Sequence, residues 1–253
     1  MSKLISVYGS SGGGKSTVAL ALAHTLTKNK RNVILISADT QSPALPVWVP
    51  NQKFTANNSL GRVLTASSVN KSVLKDKLIP HPQNKHLAFM GLTDGENPLS
   101  YDAFEREKII ALFTLLYELE FDFIIADCTS NAALDTLTIT SMEMADHILR
   151  IITPDIKGIE FERAQKSWLQ NGDFGWENSV RVLNMVRPIT PTSEVINSSG
   201  SFKYTLPFSE GVLSKFSCGE VMNGFTDSEG VLFLREIALL AQEISEVSID
   251  GIG

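Results

Sequence analysis

The fold this sequence predicts is a single α/β domain, residues 1–253, with a doubly wound, mostly parallel sheet and helices on both faces. Three observations predict it. Short apolar runs recur at residues 4–8, 33–36, 121–127, 147–152 and 180–185, the pattern of strands buried on both faces. Helix-forming stretches lie between most of them, giving the long crossovers that parallel strands require. The first run also leads directly into a glycine-rich loop followed by an alanine- and leucine-rich segment, a strand–loop–helix unit.

That loop carries the clearest chemistry. Residues 4–8 (Leu-Ile-Ser-Val-Tyr) form the first strand, and Gly9 to Ser16 then reads G-x-x-x-x-G-K-S, with Ser10, Ser11, Gly12, Gly13, Gly14 and Lys15 inside it and Thr17 following. This is the phosphate-binding P-loop pattern. Its glycines let the backbone curl with N–H groups pointing inward, where side chains would obstruct an anion. The positive end of the next helix adds to the attraction. Lys15 is expected to reach the β- and γ-phosphates of a nucleotide, and the Ser16 hydroxyl to ligate Mg²⁺. A glycine-rich turn without a ligand is the plain alternative; the flanking strand and helix favour the nucleotide.

The second unit places a helix over 16–28, a turn over 29–32 and an apolar strand over 33–36 that ends at Ser37-Ala38-Asp39. Ligands of parallel sheets sit at the carboxyl ends of the strands, and both the loop and Asp39 fall there. Asp39 suits a residue that orients an attacking water, although strand-end carboxylates are common. Residues 60–66 and 69–78 read as short helices and 86–92 as a strand. Between 52 and 93 the basic residues are Lys53, Arg62, Lys71, Lys75, Lys77 and Lys85 against Asp76 alone. Solvated helix faces explain such a run, as does a docking surface for an anionic partner.

Helical spacing of Phe104, Ile109, Leu112, Phe113, Leu116 and Leu119 predicts an amphipathic helix over 102–120. The strand over 121–127 ends in Asp127, where a P-loop protein places the acid that holds Mg²⁺, often through water. A turn or helix-cap acid is the other reading of Asp127. A helix over 132–144, a strand over 147–152 stopping at Thr153-Pro154, a helix over 156–169 and a strand over 180–185 follow. Residues 188–201 read as a loop, 204–206 as a last strand, and 231–246 as a closing helix with Leu232, Ile237, Leu240 and Ile244 inward.

Composition bounds the rest. The chain is 43% hydrophobic and 20% charged, with a net charge of −6, so overall attraction to nucleic acid or anionic lipid is not expected. Cys128 and Cys218 make neither a zinc site nor a disulfide framework. With no apolar run of transmembrane length and no basic leader, a cytoplasmic location is expected.

The order of these features resembles the MinD/ParA family of P-loop ATPases over nearly the whole chain. The resemblance rests on the loop at 9–16, on Asp39 in Ser37-Ala38-Asp39-Thr40-Gln41, on Ile124-Ile125-Ala126-Asp127, and on Ala145-Asp146 through Thr153-Pro154. It rests further on Asn184 at the end of a later strand and on Leu206-Pro207 with the downstream Gly219. It implies ATP and Mg²⁺ as cofactors, Asp39 positioning the hydrolytic water, Asn184 contacting adenine, and Pro207 bordering the base. It also implies an ATP-dependent homodimer with a protein partner. A buried strand-end Asn bonded to backbone is the alternative for Asn184.

Three departures bear on turnover. Ser10 stands where the family's signature lysine reaches across the dimer, Ser37 replaces the first acid of the D-x-D pair, and the segment after Asp127 lacks the usual proline. Losing the lysine removes cross-dimer charge from the transition state, so slow or partner-dependent hydrolysis is expected. The atypical loop resembles that of the TadZ/CpaE pilus-assembly proteins. The reading is therefore a slow ATPase that organises a partner in partitioning, septum placement or pilus and secretion machinery. Its alternatives are a catalytically weak nucleotide-binding scaffold and a small-molecule or metallocentre ATPase of the same fold. Paired interface cysteines of the iron–sulfur kind are missing. After Cys218 the only basic residue is Arg235 among seven acids, so MinD-style membrane docking by a basic terminal helix is not expected, and DNA binding is not favoured.

Overall fold

A computed structural model describes residues 2–50, 56–172, 174–175, 179–220, 222 and 224–246. Lys53 and the last seven residues, on which two of the expectations above partly rest, lie outside the described residues.

One eight-stranded sheet takes in β1 (Lys3–Gly9), β2 (Val33–Ser37), β3 (Ile79–His81), β4 (Asn84–Met90), β5 (Phe123–Asp127), β6 (His147–Ile152), β7 (Ser179–Val186) and β8 (Tyr204–Pro207). Their order is β3-β4-β2-β5-β1-β6-β7-β8, parallel throughout except for the antiparallel edge strand β3. This is the predicted architecture. β1 runs between β5 and β6, pairing Val7 with Asp127 on one side and with Leu149 on the other.

Alternation along each strand sends its side chains into two cores. Ile5 and Val7, Val33 and Leu35, and Phe123 and Ile125 face one, together with α1 (Lys15–Lys28), α2 (Leu45–Trp48), α9 (Glu210–Ser217) and α10 (Ser228–Glu246). Leu4 and Tyr8, Ile34 and Ile36, and Ile124 and Ala126 face the other, under α3 (Leu60–Leu64), α4 (Lys71–Lys77), α5 (Arg106–Glu118), α6 (Thr136–Glu143) and α7 (Ile156–Asn171). Both sheet faces are thus buried, which is why the strands are apolar without interruption. α10 lies on α1 through Phe233, Ile237, Leu240 and Ile244, one helical stripe, while Leu232, expected inward, is exposed because it sits one position off that stripe. The ammonium of Lys3 bonds the carbonyl of Ile244 at 2.5 Å and ties that helix to the first strand.

Several local expectations are corrected. The helix expected over 132–144 is broken at Asp135, whose carboxylate accepts from the Thr138 N–H and caps α6; a 3-10 turn, Ala132–Leu134, precedes it. The helix expected over 69–78 begins at Asn70, which caps it, and gives way to β3. The loop expected over 188–201 contains α8 (Thr192–Ser199). α2 and α9 were not predicted: α2 has only four residues, and α9 begins at Ser209 beside a strand-ending proline.

Candidate functional site

The glycine loop sits at the carboxyl end of β1, as parallel-sheet physics requires. Gly9 presses against β6 so closely that a Cβ there would meet the Ile151 oxygen at 2.2 Å. Gly14, at φ 84°, caps α1 in the left-handed conformation and lends no side chain to the first helical turn. The N–H groups of that turn are therefore left to an external acceptor. Ser11 and Gly12 are exposed, Gly13 is buried, and Ser16 and Thr17 are half-buried.

Lys15 is buried, its ammonium 2.8 Å from the Ser130 hydroxyl and 3.3 Å from the Ser10 carbonyl. Ser130, in the segment after β5, is a residue that sequence reasoning missed; nothing in its neighbours marks it as the lysine's partner. Ser10 is only 7% exposed, and its carbonyl also accepts from the Gly13 N–H. Position 10 is thus folded into the loop.

Asp127 ends β5 fully buried, in register with Val7 of β1 and Ser37 of β2. Neither carboxylate oxygen has a hydrogen-bond partner. Burial pushes its pKa up to about 7; the nearby Ser16 hydroxyl and Lys15 ammonium pull the other way, and Asp39 adds to the rise. A buried carboxylate without partners is costly, so the position invites a cation. Opposite it, the Ser37 hydroxyl is occupied with the Ala44 N–H at 2.9 Å.

Asp39 is half-buried and turns back on its own chain, accepting from the N–H groups of Gln41 and Ser42 at 3.1 and 3.0 Å. Beside it, the Thr40 hydroxyl donates to Asp135 at 3.0 Å. Burial raises the Asp135 pKa and Asp39 raises it further. Asp39 thus acts electrostatically on both Asp127 and Asp135. Asp135 was not singled out from sequence, where it falls inside the helix expected over 132–144.

β7 brings Asn184 to the loop: its side-chain N–H donates to the Gly13 carbonyl at 2.8 Å. Met185 follows at φ 61°, and the pairing with β8 shifts register between Leu183 and Val186. Pro207 pairs with Val186 at the end of β8, and the Arg187 guanidinium lies 3.9 Å over the Phe208 ring. Gly219, at φ 65°, packs against Val47 and Pro50. The structure thus joins Lys15, Ser16, Asp127 and Asn184 at the loop, with Asp39 alongside and Pro207 on the neighbouring edge.

A family model described as an AAA domain matches residues 2–160. The chain belongs to the AAA domain family. No curated protein matches it in sequence. Among solved structures, the septum site-determining protein MinD complexed with Mg-ADP from Pyrococcus horikoshii OT3 is 18% identical, with TM-score 0.77, covering 98% of this chain and 97% of that one. A ParA family ATPase from Chlorobium tepidum TLS is 16% identical, TM-score 0.79, covering 95% and 99%. The MinC:MinD cell division protein complex of Aquifex aeolicus is 14% identical, TM-score 0.74, covering 100% and 99%. This AAA domain protein has the MinD/ParA P-loop fold.

The basic stretch is partly neutralised in three dimensions. Lys71 lies 3.9 Å from Glu118, and Lys75, Lys85 and His86 share a surface cavity with Glu118 and Glu120. Cys128 is buried against Ser141, and its thiol pKa is pushed up to about 12 by burial; it is an inert core residue. Among the described residues, no helix is long and apolar enough to cross a membrane.

Proposed function

We propose that this protein is a single-domain, cytoplasmic Mg-ATP-dependent ATPase whose nucleotide state controls a homodimer that engages a protein partner. The observation that carries the reading is the pairing of a glycine cradle, with its lysine, and a buried carboxylate that has no partner of its own. That MinD structure's Mg-ADP and the MinC:MinD complex support the cofactors and the protein partner by analogy.

Lys15 would leave Ser130 and Ser10 for the β- and γ-phosphates, and the first N–H groups of α1 would hold the same polyphosphate. Ser16 and Asp127 would hold Mg²⁺ together with phosphate oxygens and water; among the described residues no cluster of three or more His, Cys, Asp or Glu offers it another site. The ion supplies charge neutralisation of the developing phosphoryl negative charge. Asp39 would orient the attacking water. Asn184 would present its side-chain oxygen to the adenine amino group while its nitrogen stays on Gly13, and Pro207 would border the base. Burial of Ser10 inside the loop favours slow turnover, since nothing at position 10 reaches toward a second copy.

The test is ATP turnover and oligomeric state measured together for the wild-type chain, Lys15→Ala and Asp39→Ala, with and without Mg-ATP. The reading expects an ATP-induced dimer, with turnover lost in both variants and ATP binding retained in Asp39→Ala. Tight ATP binding without turnover, partners included, would leave the scaffold alternative, which the buried Ser10 keeps open. Absence of ATP binding would overturn the proposal.

A further inference from the structure

Tyr8 sits at the root of the glycine loop, near the end of β1, and is only 2% exposed. Its ring packs against Phe161 and Trp168 of α7, with centroids 5.7 and 6.3 Å away and the second ring edge-on. Burial raises the pKa of its hydroxyl, so the group keeps its proton.

Two acceptors compete for that one proton. The carbonyl of Ser130 lies 3.4 Å from the hydroxyl oxygen, and the side-chain oxygen of Gln165 lies 3.2 Å from it. The other neighbour of Gln165 fixes the amide's orientation. The indole N–H of Trp168, a group that can only donate, bonds it at 2.5 Å and so requires the oxygen. Both separations at Tyr8 exceed the roughly 2.7–2.8 Å usual for a hydroxyl donor, so neither acceptor holds the proton firmly. The Tyr8 hydroxyl is an element with two arrangements.

Ser130 links it to the loop. Its carbonyl faces Tyr8 while its hydroxyl accepts from the Lys15 ammonium at 2.8 Å. A continuous chain of hydrogen bonds thus runs from Lys15 through Ser130, Tyr8 and Gln165 to Trp168, which packs edge-on against Phe174 at 4.8 Å. A polyphosphate that takes Lys15 removes the charge-assisted bond that holds Ser130. The Ser130 carbonyl is then free to move from Tyr8, and the hydroxyl settles on the Gln165 oxygen that Trp168 shares.

We propose that occupancy of the glycine loop is relayed through Ser130 and Tyr8 to α7, where Gln165 and Trp168 change their hydrogen bonding. Ser130 and Tyr8 are positioning residues, the first acting on Lys15 and the second on Gln165. The relay rests on the nucleotide reading of the loop and adds a route by which the bound state reaches a helix packed on the sheet. Its physical basis is a two-state hydroxyl that both ends of the chain bias.

Trp168 supplies the readout. Tryptophan emission is recorded with and without Mg-ADP for the wild-type chain, Trp168→Phe, Tyr8→Phe and Ser130→Ala, and binding is measured separately by calorimetry. Wild-type emission should change on binding, and the change should vanish in Trp168→Phe, which assigns it to that ring rather than to Trp48 or Trp176. Tyr8→Phe keeps the ring and should still bind, yet lose most of the emission change. Ser130→Ala, free of nucleotide, should already emit close to the wild-type bound value. Calorimetric binding with no Trp168-dependent change overturns the relay and leaves the nucleotide reading standing. A full-size change in Tyr8→Phe, or nucleotide-free Ser130→Ala emission equal to the wild type's, does the same. Absence of calorimetric binding overturns that reading and the relay together.

Discussion

Asn184 and Gly13, 171 positions apart in the chain, are joined by a 2.8 Å hydrogen bond from the asparagine side-chain nitrogen to the glycine carbonyl. The bond locks the far end of β7 onto the loop before any nucleotide is present. The same asparagine that resemblance assigns to adenine therefore also braces the phosphate cradle.

Asn184→Ala should lower unfolding free energy by about 1–3 kcal/mol, because a buried carbonyl loses its donor. Urea denaturation reads this directly. An unchanged midpoint would show that water or a shifted loop replaces the amide at no cost.

Gly12 and Gly14 should differ sharply in tolerance to alanine. Both have positive φ, 71° and 84°, so each substitution strains the backbone by roughly 1–2 kcal/mol. Only at Gly14 would the new methyl also collide, 2.4 Å from the Asn184 nitrogen, whereas Gly12 has open space. Affinity for a fluorescent nucleotide should fall much further in Gly14→Ala than in Gly12→Ala. Equal losses would contradict the packing.

Asp127→Asn should raise the melting temperature of the nucleotide-free protein while abolishing the extra stabilisation given by Mg-nucleotide. The change removes a buried charge that has no partner but also removes the carboxylate proposed above to hold Mg²⁺. Thermal melts with and without Mg-ADP separate the two effects. A variant less stable than wild type when nucleotide-free would show the carboxylate to be structural.

Acid should destabilise the fold through His24. Burial first, then His81 and Lys28, hold its pKa down to about 4, and its ring meets His81 edge-on at 5.4 Å. Between that value and the ordinary 6.5 the unfolded chain binds a proton the folded one refuses, so stability falls as pH falls through this window. The His24 contribution to that change from pH 6.5 to 4.5 should be about 2 kcal/mol, and the raised pKa of Asp127 acts with the opposite sign over the same window, so the His24 share is the difference between the pH dependences of wild type and His24→Asn. Denaturant midpoints across that range decide it.

The parts of this molecule that could be read from sequence are those whose residues carry their own reason. Apolar runs such as Phe123-Ile124-Ile125-Ala126 admit only a doubly buried strand, and the glycine loop needs its spacing to curl. What escaped reading depends on partners distant in sequence. Ser130 looks like any turn serine until Lys15 is seen beside it. Asp135 interrupts what composition presents as one helix because its carboxylate bonds the Thr138 N–H. α8 hides in a proline- and serine-rich stretch because Val195 finds Ile152 and Leu183 to pack on. The pairing of Arg150 with Arg181 follows only from the register of β6 with β7.

The position of β1 bears on how the molecule forms. Its two neighbours, β5 and β6, begin with Phe123 and His147, so the strand beneath the glycine loop has neither sheet partner until about half the chain has emerged and collapsed. Closing such long loops is slow. The most locally encoded motif in the sequence is therefore assembled by its most distant contacts. Capture of a nucleotide should accordingly lag behind helix formation in refolding, marking the arrival of the complete sheet.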